Sequence, residues 1–368
     1  MNARAVVAGT VAALSLLVLA GGPAYAGLDP GVGGWAAGDP PAGARATVDP
    51  SASDPAALAL LDRAALAARS TAYRGVQFVA TWDPEQTTTM VVDVEHLPGQ
   101  GTAVQVRSTA GQPARSVFTP DRGNPVAGDL AVAGGPTGLL ARNYAVRADG
   151  TGAVAGRPAD VVAVRRPTGS LAARFWLDQE SGLLLRRETY DSQGRTLRAT
   201  AFLQVSLDAT PATPLPPTLP APWRQRVDAA GLAALRAQGW PCPAEIGDLT
   251  LWDARTVADG TGPVLHLSYS DGLSLVSVFV QPGSLDSSEL SGYRSDRWGG
   301  AAVQVSRSVP QQVVWAAGGR VFTVVADAGP ETVRAVVAAL PHDPAPGGLW
   351  PRVRRGLARI VSWLNPFG

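Results

Sequence analysis

The sequence predicts an α+β protein built from two mainly antiparallel β domains. Runs rich in β-branched and aromatic residues follow one another with short turns of Gly, Ser, Asp or Pro between them, which is typical of antiparallel strands. Helical patterns do not alternate regularly with these runs, so neither a doubly wound fold nor a barrel of parallel strands is expected. The 41 glycines and 31 prolines among 368 residues predict connectors outside the folded domains.

The charge balance argues against a nucleic-acid-binding protein. Lys and Arg together number 31 and Asp and Glu number 30, which gives a formal net charge of +1. Domains that bind nucleic acids carry a concentrated basic excess. No nucleic-acid partner is therefore expected.

Residues 1–26 have the features of an export signal. Arg4 precedes an apolar run at 5–20, and Ala24-Tyr25-Ala26 provides the small residues of a cleavage site. An uncleaved membrane anchor is the alternative. In either case we expect the protein in the periplasm or at the extracytoplasmic face of the cell envelope.

The single cysteine, Cys242, cannot form a disulfide within the chain. Its neighbours are Trp240, Pro241 and Pro243, and this apolar setting predicts a buried thiol. Pairing of the thiol with another molecule is the alternative. Stability must then come from the hydrophobic cores.

The first folded domain is predicted at residues 54–209, after a flexible lead at 27–53 that is rich in Gly, Pro and Ala. Asp54-Pro55 provides an N-cap and a first-turn proline for a helix that continues to Arg69. The helical spacing predicts an apolar face of Leu58, Leu61, Ala65 and Ala68. Strands are expected at 76–82, 88–95 and 102–108.

A β-meander is predicted next, with strands at 171–178, 183–191 and 196–208. In the middle strand, apolar residues predominate only near the start, so one face there is expected to be wet. A proline-rich connector at 210–222 then favours an extended, semi-stiff spacer between the domains.

The second domain is predicted at 223–342 and is again mostly β. One hairpin is expected around Asp271-Gly272, between strands 264–270 and 273–281. Another is expected around Gly318-Gly319, between strands 312–317 and 320–326. A helix should begin at Pro330 and stop at Pro341.

No motif in the sequence indicates catalysis, a metal site or a cofactor. The histidines His96, His266 and His342 lack metal-ligand spacing, and the short signatures of serine hydrolases, nucleoside triphosphatases and penicillin-binding proteins are missing. His266 is expected to be solvated or hydrogen-bonded. Asp178, Glu180 and Asp191 could serve a glycosidase but occur where turns are predicted. We therefore expect a binding protein and no cofactor.

Several short segments of the first domain occur in a characteristic order. They are YRGVQ at 73–77, GRPADVV at 156–162, RFWLD at 174–178, GLLLR at 182–186, and Tyr190, Asp191, Gly194 and Leu197. Together with Trp240, 264–281 and 313–340 in a smaller second domain, this order resembles the MucB/RseB family of exported sigma-factor regulators.

The resemblance implies a fold and a function. The implied first domain is a LolA-like half-barrel, in which a curved antiparallel sheet wraps over helices and encloses an apolar cavity. The implied role is to bind the extracytoplasmic part of a membrane-spanning anti-sigma factor, to shield it from regulated proteolysis, and to release it when an envelope-stress ligand binds. The family's partner surface is not a compact motif, so no contact residue is carried over.

An inward-facing apolar surface of this kind could hold the acyl chain of a lipid or lipoprotein. The candidate cavity residues are Phe78, Phe118, Leu139, Leu140, Phe175, Leu177, Leu183 and Leu185. The alternative for each is that it fills the core. A carrier that moves a lipid or lipoprotein through the envelope is the second functional hypothesis.

The tail at 343–368 predicts a basic amphipathic helix that could touch a membrane surface. Its candidate interface residues are Trp350, Arg354, Arg355, Leu357, Arg359 and Trp363. The alternative is a last helix packed on the second domain.

Overall fold

A computed structural model describes residues 53–82, 87–107, 115–120, 137–207, 225–258, 263–285, 290, 292–298, 301–306 and 311–342. The chain divides between Thr218 and Leu219 into two compact units. The predicted export signal, the basic tail, the proline-rich connector and all of the predicted lead except Ser53 lie outside the described residues.

The described residues of the first unit form two helices and nine strands. In chain order these are α1 (Pro55–Ser70), β1 (Tyr73–Trp82), β2 (Thr87–Leu97), β3 (Gly101–Val106), β4 (Arg115–Pro120), α2 (Thr137–Asn143), β5 (Ala145–Val154), β6 (Arg157–Arg165), β7 (Leu171–Asp178), β8 (Leu184–Tyr190) and β9 (Thr196–Leu207). The strands form one antiparallel sheet in the order β4-β3-β2-β1-β9-β8-β7-β6-β5. The sheet is open, with β4 and β5 at its edges.

Helix α1 begins where the sequence predicts. Asp54 Oδ1 accepts a hydrogen bond from Ala56 N at 2.9 Å, and Pro55 occupies the first turn. The apolar face differs from the predicted one, because the buried residues are Ala57, Leu61, Ala64 and Ala67. Leu58, Ala65 and Ala68 are half-buried, so the face is rotated by about one residue. Three of the four buried residues are alanines, so this helix can approach its neighbours closely.

The predicted β-meander is confirmed as β7, β8 and β9. The strand predicted at 102–108 ends at Val106, and the strand predicted at 76–82 starts earlier, at Tyr73. The sequence analysis did not predict helix α2 or the β5–β6 hairpin. That hairpin closes through Ala155 and Gly156, which both have positive φ, as a type I′ turn requires.

In the second unit, the part of the chain that the structure describes forms two helices and nine strands. They are β10 (Gln225–Arg226), α3 (Ala229–Ala237), β11 (Glu245–Ile246), β12 (Leu249–Ala258), β13 (Pro263–Ser270), β14 (Leu275–Pro282), β15 (Tyr293–Trp298), β16 (Ala301–Ser306), β17 (Gln311–Ala317), β18 (Arg320–Asp327) and α4 (Pro330–Ala339). Its antiparallel sheet has the order β10-β12-β13-β14-β18-β17-β16-β15, and β11 also pairs with β12.

The core of this unit lies between one face of the sheet and α4. Buried valines of α4 pack with sheet residues such as Leu267, Val278 and Trp315. Trp315 Nε1 donates a hydrogen bond to Pro341 O at 2.9 Å, just beyond the end of α4. The helix starts at Pro330 and ends before Pro341, as predicted.

The two predicted hairpins are present, but the first has a different turn. Ser270 is paired with Leu275, so the loop contains four residues and not the two predicted. Asp271 Oδ1 accepts hydrogen bonds from Leu273 N and Ser274 N at 2.8 and 2.6 Å, which favours the longer loop. The Gly318-Gly319 turn has two residues, as predicted.

Among the described residues, no helix is both long enough and apolar enough to cross a bilayer.

Candidate functional site

The first sheet has two chemically different faces at its centre. Directly paired residues of neighbouring strands lie on the same face. Phe175 is paired with Val162 and with Arg187, and we call their side the Phe175 face. Trp176 is paired with Arg186, and Arg186 with Ala201, and we call theirs the Trp176 face.

The structure brings only part of the predicted cavity set together. Phe175 and Leu177 lie on the same face because they are two residues apart in β7. Phe78 lies on the opposite, Trp176 face, because its partner in β9 is Ala201. Leu140, Phe175, Leu177, Leu183 and Leu185 are buried, whereas Phe78 and Leu139 are half-buried. The side chain of Phe118 lies outside the described residues. The cavity itself stays a prediction.

The Phe175 face also carries a cation. The guanidinium carbon of Arg187 lies 6.0 Å from the centroid of the Phe175 ring. Arg187 is paired with Thr200 in β9, and Thr200 with Val79 in β1, so a polar pair interrupts an otherwise apolar row. A ligand on this face would therefore meet both apolar and cationic groups.

The Trp176 face carries a stack of aromatic and charged groups. The guanidinium carbon of Arg186 lies 4.5 Å from the centroid of the Trp176 ring, within the range of a cation–π interaction. A Cβ placed on Gly152 would lie 3.3 Å from the same indole, so the ring packs closely against the glycine backbone of β5. The Trp176 side chain thus reaches across β6 to the edge of the sheet.

Glu188 connects this stack to its neighbours. Its carboxylate accepts hydrogen bonds from Arg186 and from the Tyr190 hydroxyl. Burial and the adjacent carboxylate both raise the pKa of Tyr190, so this hydroxyl remains a donor at neutral pH. Arg174 forms an ion pair of 2.8 Å with Asp149 of β5. The face of β8 that was expected to be solvated therefore carries polar side chains that bond one another, namely Arg186, Glu188 and Tyr190.

A second cluster joins the β5–β6 turn to the β7–β8 turn. Arg157 donates from Nε to Asp178 Oδ1 at 2.7 Å and from Nη2 to Asp178 Oδ2 at 2.9 Å. Asp178 also accepts from the backbone N and the Oγ of Ser181. Glu180, at the surface, accepts a further bond from Arg157 at 2.8 Å. With Gly156, Pro158 and Gln179 these residues line an open surface pocket of about 410 Å³.

The protonation state of Asp178 follows from these contacts. Burial opposes ionisation of this carboxyl group, but the hydrogen bonds from Arg157 and Ser181 outweigh it and lower the pKa to about 2. A carboxylate locked in this way is poorly suited to acid–base catalysis near neutral pH. Of the residues considered for a glycosidase, Asp178 and Glu180 therefore bind Arg157 at this turn. Asp191 accepts hydrogen bonds from Gln193 N and Arg195 N in the next turn, between β8 and β9.

The second unit contains a buried histidine. His266 stacks on Phe279 with ring centroids 4.4 Å apart, and its Nε2 lies 3.1 Å from Ser277 Oγ. The predicted hydrogen bonding of His266 is confirmed. Burial lowers the pKa of His266 to about 3, although the charge of nearby Asp253 opposes this shift.

Cys242 is buried, as predicted. Burial raises the pKa of its thiol to about 11, which favours the unreactive protonated form. In the described part of the chain, no three His, Cys, Asp or Glu residues are grouped so that they could hold a metal ion.

Comparison with known families assigns the first unit. Residues 56–220 match the model of the MucB/RseB N-terminal domain. This match includes α1 and the whole sheet, with the Trp176 stack and the Arg157–Asp178 pair. The chain therefore contains a MucB/RseB N-terminal domain.

Solved MucB structures are similar to this chain over most of its length. A crystal structure of MucB has 20% identity and a TM-score of 0.45, and the match covers 77% of this chain and 98% of that one. The structure of the Pseudomonas aeruginosa MucA/MucB complex has 22% identity and a TM-score of 0.43, covering 79% and 100%. A LolA superfamily protein from Nitrosomonas europaea has 12% identity and a TM-score of 0.20, covering 42% and 94%. No curated protein matches this sequence.

Neither the Trp176 stack nor the β5 edge was among the site residues expected from the sequence. Trp176 and Arg186 occur in the segments that carry the family resemblance, but they were not selected as site residues. The sequence around β5 contains one indication of a hairpin: Gly156, a residue that favours tight turns, lies between two runs that contain several Ala and Val residues.

Proposed function

We propose that this protein is an exported regulator that binds the extracytoplasmic part of a membrane-spanning anti-sigma factor. The match of residues 56–220 to the MucB/RseB N-terminal domain carries the proposal. MucB itself is described in complex with MucA(peri). By binding its partner, the protein would modulate the partner's proteolysis during envelope-stress signalling.

A regulator of this kind must respond to a ligand. A ligand shifts an equilibrium only if it binds the released form more tightly than the partner-bound form. We propose an acyl chain of a lipid or lipoprotein as the ligand, held on the Phe175 face. Each buried methylene group would contribute about 0.8 kcal/mol. The charge of Arg187 beside Phe175 would suit an anionic headgroup at the end of that chain.

The first experiment is a pull-down of residues 27–368 from detergent-solubilised envelope, with mass spectrometry of the proteins and lipids recovered. Recovery of a single-span anti-sigma factor, identified by sequence, supports the proposal. Recovery of acylated cargo without such a partner would favour the carrier hypothesis. Recovery of neither would remove both hypotheses.

A second experiment addresses the proposed effect on proteolysis. The half-life of the recovered anti-sigma factor would be measured in cells with and without this protein. We expect a shorter half-life in its absence, because an unbound segment is open to proteases. Equal half-lives would show that binding does not protect the partner.

A third experiment addresses peripheral contact of the tail with the membrane. The full chain and a chain that ends at Pro344 would be compared in their membrane and soluble fractions. Loss of the shorter chain from the membrane fraction is the expected result. Unchanged fractionation would contradict a membrane role for Trp350, Arg354, Arg355, Leu357, Arg359 and Trp363.

A further inference from the structure

Strand β5 is an open edge of the first sheet. It pairs with β6 on one side, and among the described residues no strand lies on its other side. Residues 147–153 are all exposed. An open edge offers backbone donors and acceptors to another chain in an extended conformation.

The hydrogen bonds at Val146 show which backbone groups point outward. Val146 O accepts from Asp54 N at 2.8 Å, and Val146 N donates to Ser53 Oγ at 3.0 Å. Both groups therefore point away from β6. Since this direction alternates along an antiparallel strand, Ala148 also points outward.

The bulge in β5 preserves this orientation further along the strand. Ala148 is paired with Val162, and Thr151 with Asp160, so β5 has one residue more than β6 over this stretch. The partner strand β6 is regular, so the backbone groups of its alternate residues Val162, Asp160 and Pro158 all point in the same direction, away from β5. Their β5 partners Ala148, Thr151 and Ala153 therefore direct their N–H and C=O groups away from the sheet.

Among the described residues, Ser53 and Asp54 cover the beginning of this edge. Ser53 Oγ donates to Tyr144 O, and Asp54 N donates to Val146 O further along, so residues 53 and 54 run parallel to β5. Helix α1 then begins at Pro55. The described contacts of this segment with the edge reach Val146, and the edge from Ala148 to Ala153 lies beyond them.

The side chains along the edge suit a second backbone. Ala148, Gly150, Thr151, Gly152 and Ala153 are small and exposed, so no long side chain folds over the backbone groups of this edge. Beside Gly152 lies the Trp176 indole, which offers an apolar surface at the sheet edge. Arg147 is exposed, whereas Asp149 is already paired with Arg174. The exposed charge of Arg147 is positive, and it would attract an acidic side chain of the added strand.

We propose that the anti-sigma factor adds an extended segment to β5 at Ala148, Thr151 and Ala153, with an acidic side chain near Arg147 and an apolar side chain on Trp176. This proposal rests on the proposed function and specifies where and how the partner binds. Backbone hydrogen bonds supply the affinity, and Arg147 and Trp176 select the segment. The bulge gives the edge a particular shape, which disfavours indiscriminate pairing with other strands.

The test compares two substitutions at one residue in the full chain. Ala153→Pro removes one outward N–H, and proline is tolerated on an edge strand where that N–H faces solvent. Ala153→Val keeps the N–H and is the matched control. The probe is the purified extracytoplasmic part of the anti-sigma factor identified in the pull-down. We expect Ala153→Pro to weaken binding about tenfold and Ala153→Val to bind like the wild type.

Amide hydrogen exchange of the wild-type protein provides a second measurement that needs no variant. Without partner, the outward amides of Ala148, Thr151 and Ala153 should exchange faster than the amides that face β6. With partner bound, residues 147–154 should gain protection. Arg147→Glu should weaken binding severalfold, and more strongly at low salt than at high salt.

Each result decides a different point. Equal binding by Ala153→Pro and wild type, or no added protection at 147–154, would overturn the edge site while leaving the proposed function in place. If the wild type recovers no anti-sigma factor, both the function and this inference fail. A doubled mass of the protein alone that Ala153→Pro abolishes would assign the edge to a second copy of this chain. If Ala153→Pro does not fold, the exchange measurement decides alone.

Discussion

Arg157 and Asp178 form a two-pronged ion pair that joins two turns of the first sheet. The guanidinium donates to both carboxylate oxygens, at 2.7 and 2.9 Å, and Asp178 is only 1% exposed at its side chain. A bidentate pair fixes the relative orientation of the two groups more firmly than a single contact. The pair thus holds the β5–β6 hairpin, and with it the proposed edge site, against the β7–β8 turn.

We predict that Asp178→Asn destabilises the first domain by about 2–4 kcal/mol, because it removes the buried charge that accepts both hydrogen bonds of the Arg157 fork and leaves Arg157 only the exposed Glu180 carboxylate. The matched control is Glu180→Gln. Glu180 bonds the same arginine but is 83% exposed at its side chain, so its loss should cost less than about 0.5 kcal/mol. Urea unfolding of both variants at pH 7 measures the difference, and equal stabilities would contradict the role assigned to Asp178.

The same carboxylate predicts a stability change in strong acid. The folded pKa of Asp178 is about 2, below the ordinary value near 4 of the unfolded chain. Its contribution of about 2 kcal/mol is therefore present above pH 4 and disappears as the pH falls towards 2. Asp178→Asn should accordingly lose less stability than wild type over this interval.

Because His266 is buried, the second domain should lose stability over a different range of pH. Burial lowers its folded pKa to about 3, whereas the unfolded chain binds a proton below about pH 6.5. Stability is therefore lost as the pH falls from 6.5 towards 3, and the loss reaches about 2–3 kcal/mol at pH 4.5. Replacing this histidine with a side chain that does not titrate should remove that dependence.

The test is urea unfolding of His266→Gln at pH 7.0 and 4.5. The control is His342→Gln, which changes a half-buried histidine bonded to Val337 O. We expect the pH-dependent loss to shrink in His266→Gln and to persist in His342→Gln. A wild-type-like loss in His266→Gln would mean that other groups cause it.

The hairpin turn at Ala155 can be made more stable. Ala155 has φ of 52°, a left-handed conformation that costs a residue with a Cβ about 1 kcal/mol. Ala155→Gly should therefore stabilise the first domain by about 0.5–1 kcal/mol. The same exchange at Ala335, exposed in the middle of α4, should destabilise the second domain by about 1 kcal/mol. Denaturant unfolding measures both, and destabilisation by Ala155→Gly would contradict the assigned turn.

Gly75 is required by close packing rather than by its φ angle. A Cβ at this position would lie 2.3 Å from Gln204 O and 2.8 Å from the Phe202 ring, where β1 meets the irregular part of β9. Gly75→Ala should therefore cost about 2–3 kcal/mol. Gly138→Ala in α2 is the control, because nothing lies within 4 Å of its Cβ and alanine favours the helix. Equal effects of the two substitutions would disprove the close approach at Gly75.

Much of the local structure follows from the sequence, because short-range chemistry decides it. The N-cap of α1 at Asp54, the meander of β7 to β9, the two-residue turn at Gly318-Gly319 and the limits of α4 are set by residues close to one another in the chain. The resemblance to the MucB/RseB family likewise depends on short segments, and the domain match confirms it.

Tertiary structure alone decided which residues share a face and which strand lies at an edge. Phe78 was expected beside Phe175, but the pairing across β1, β9 and β8 places it with Trp176. The sequence of a strand shows that its side chains alternate between two faces. Which face a given residue occupies depends on the register with distant strands, and a bulge moves all later residues to the opposite face because it adds one residue. The open edge of β5 also depends on distant parts of the chain. A strand lies at an edge when no other strand pairs with its second side, and the sequence of the strand itself does not show this.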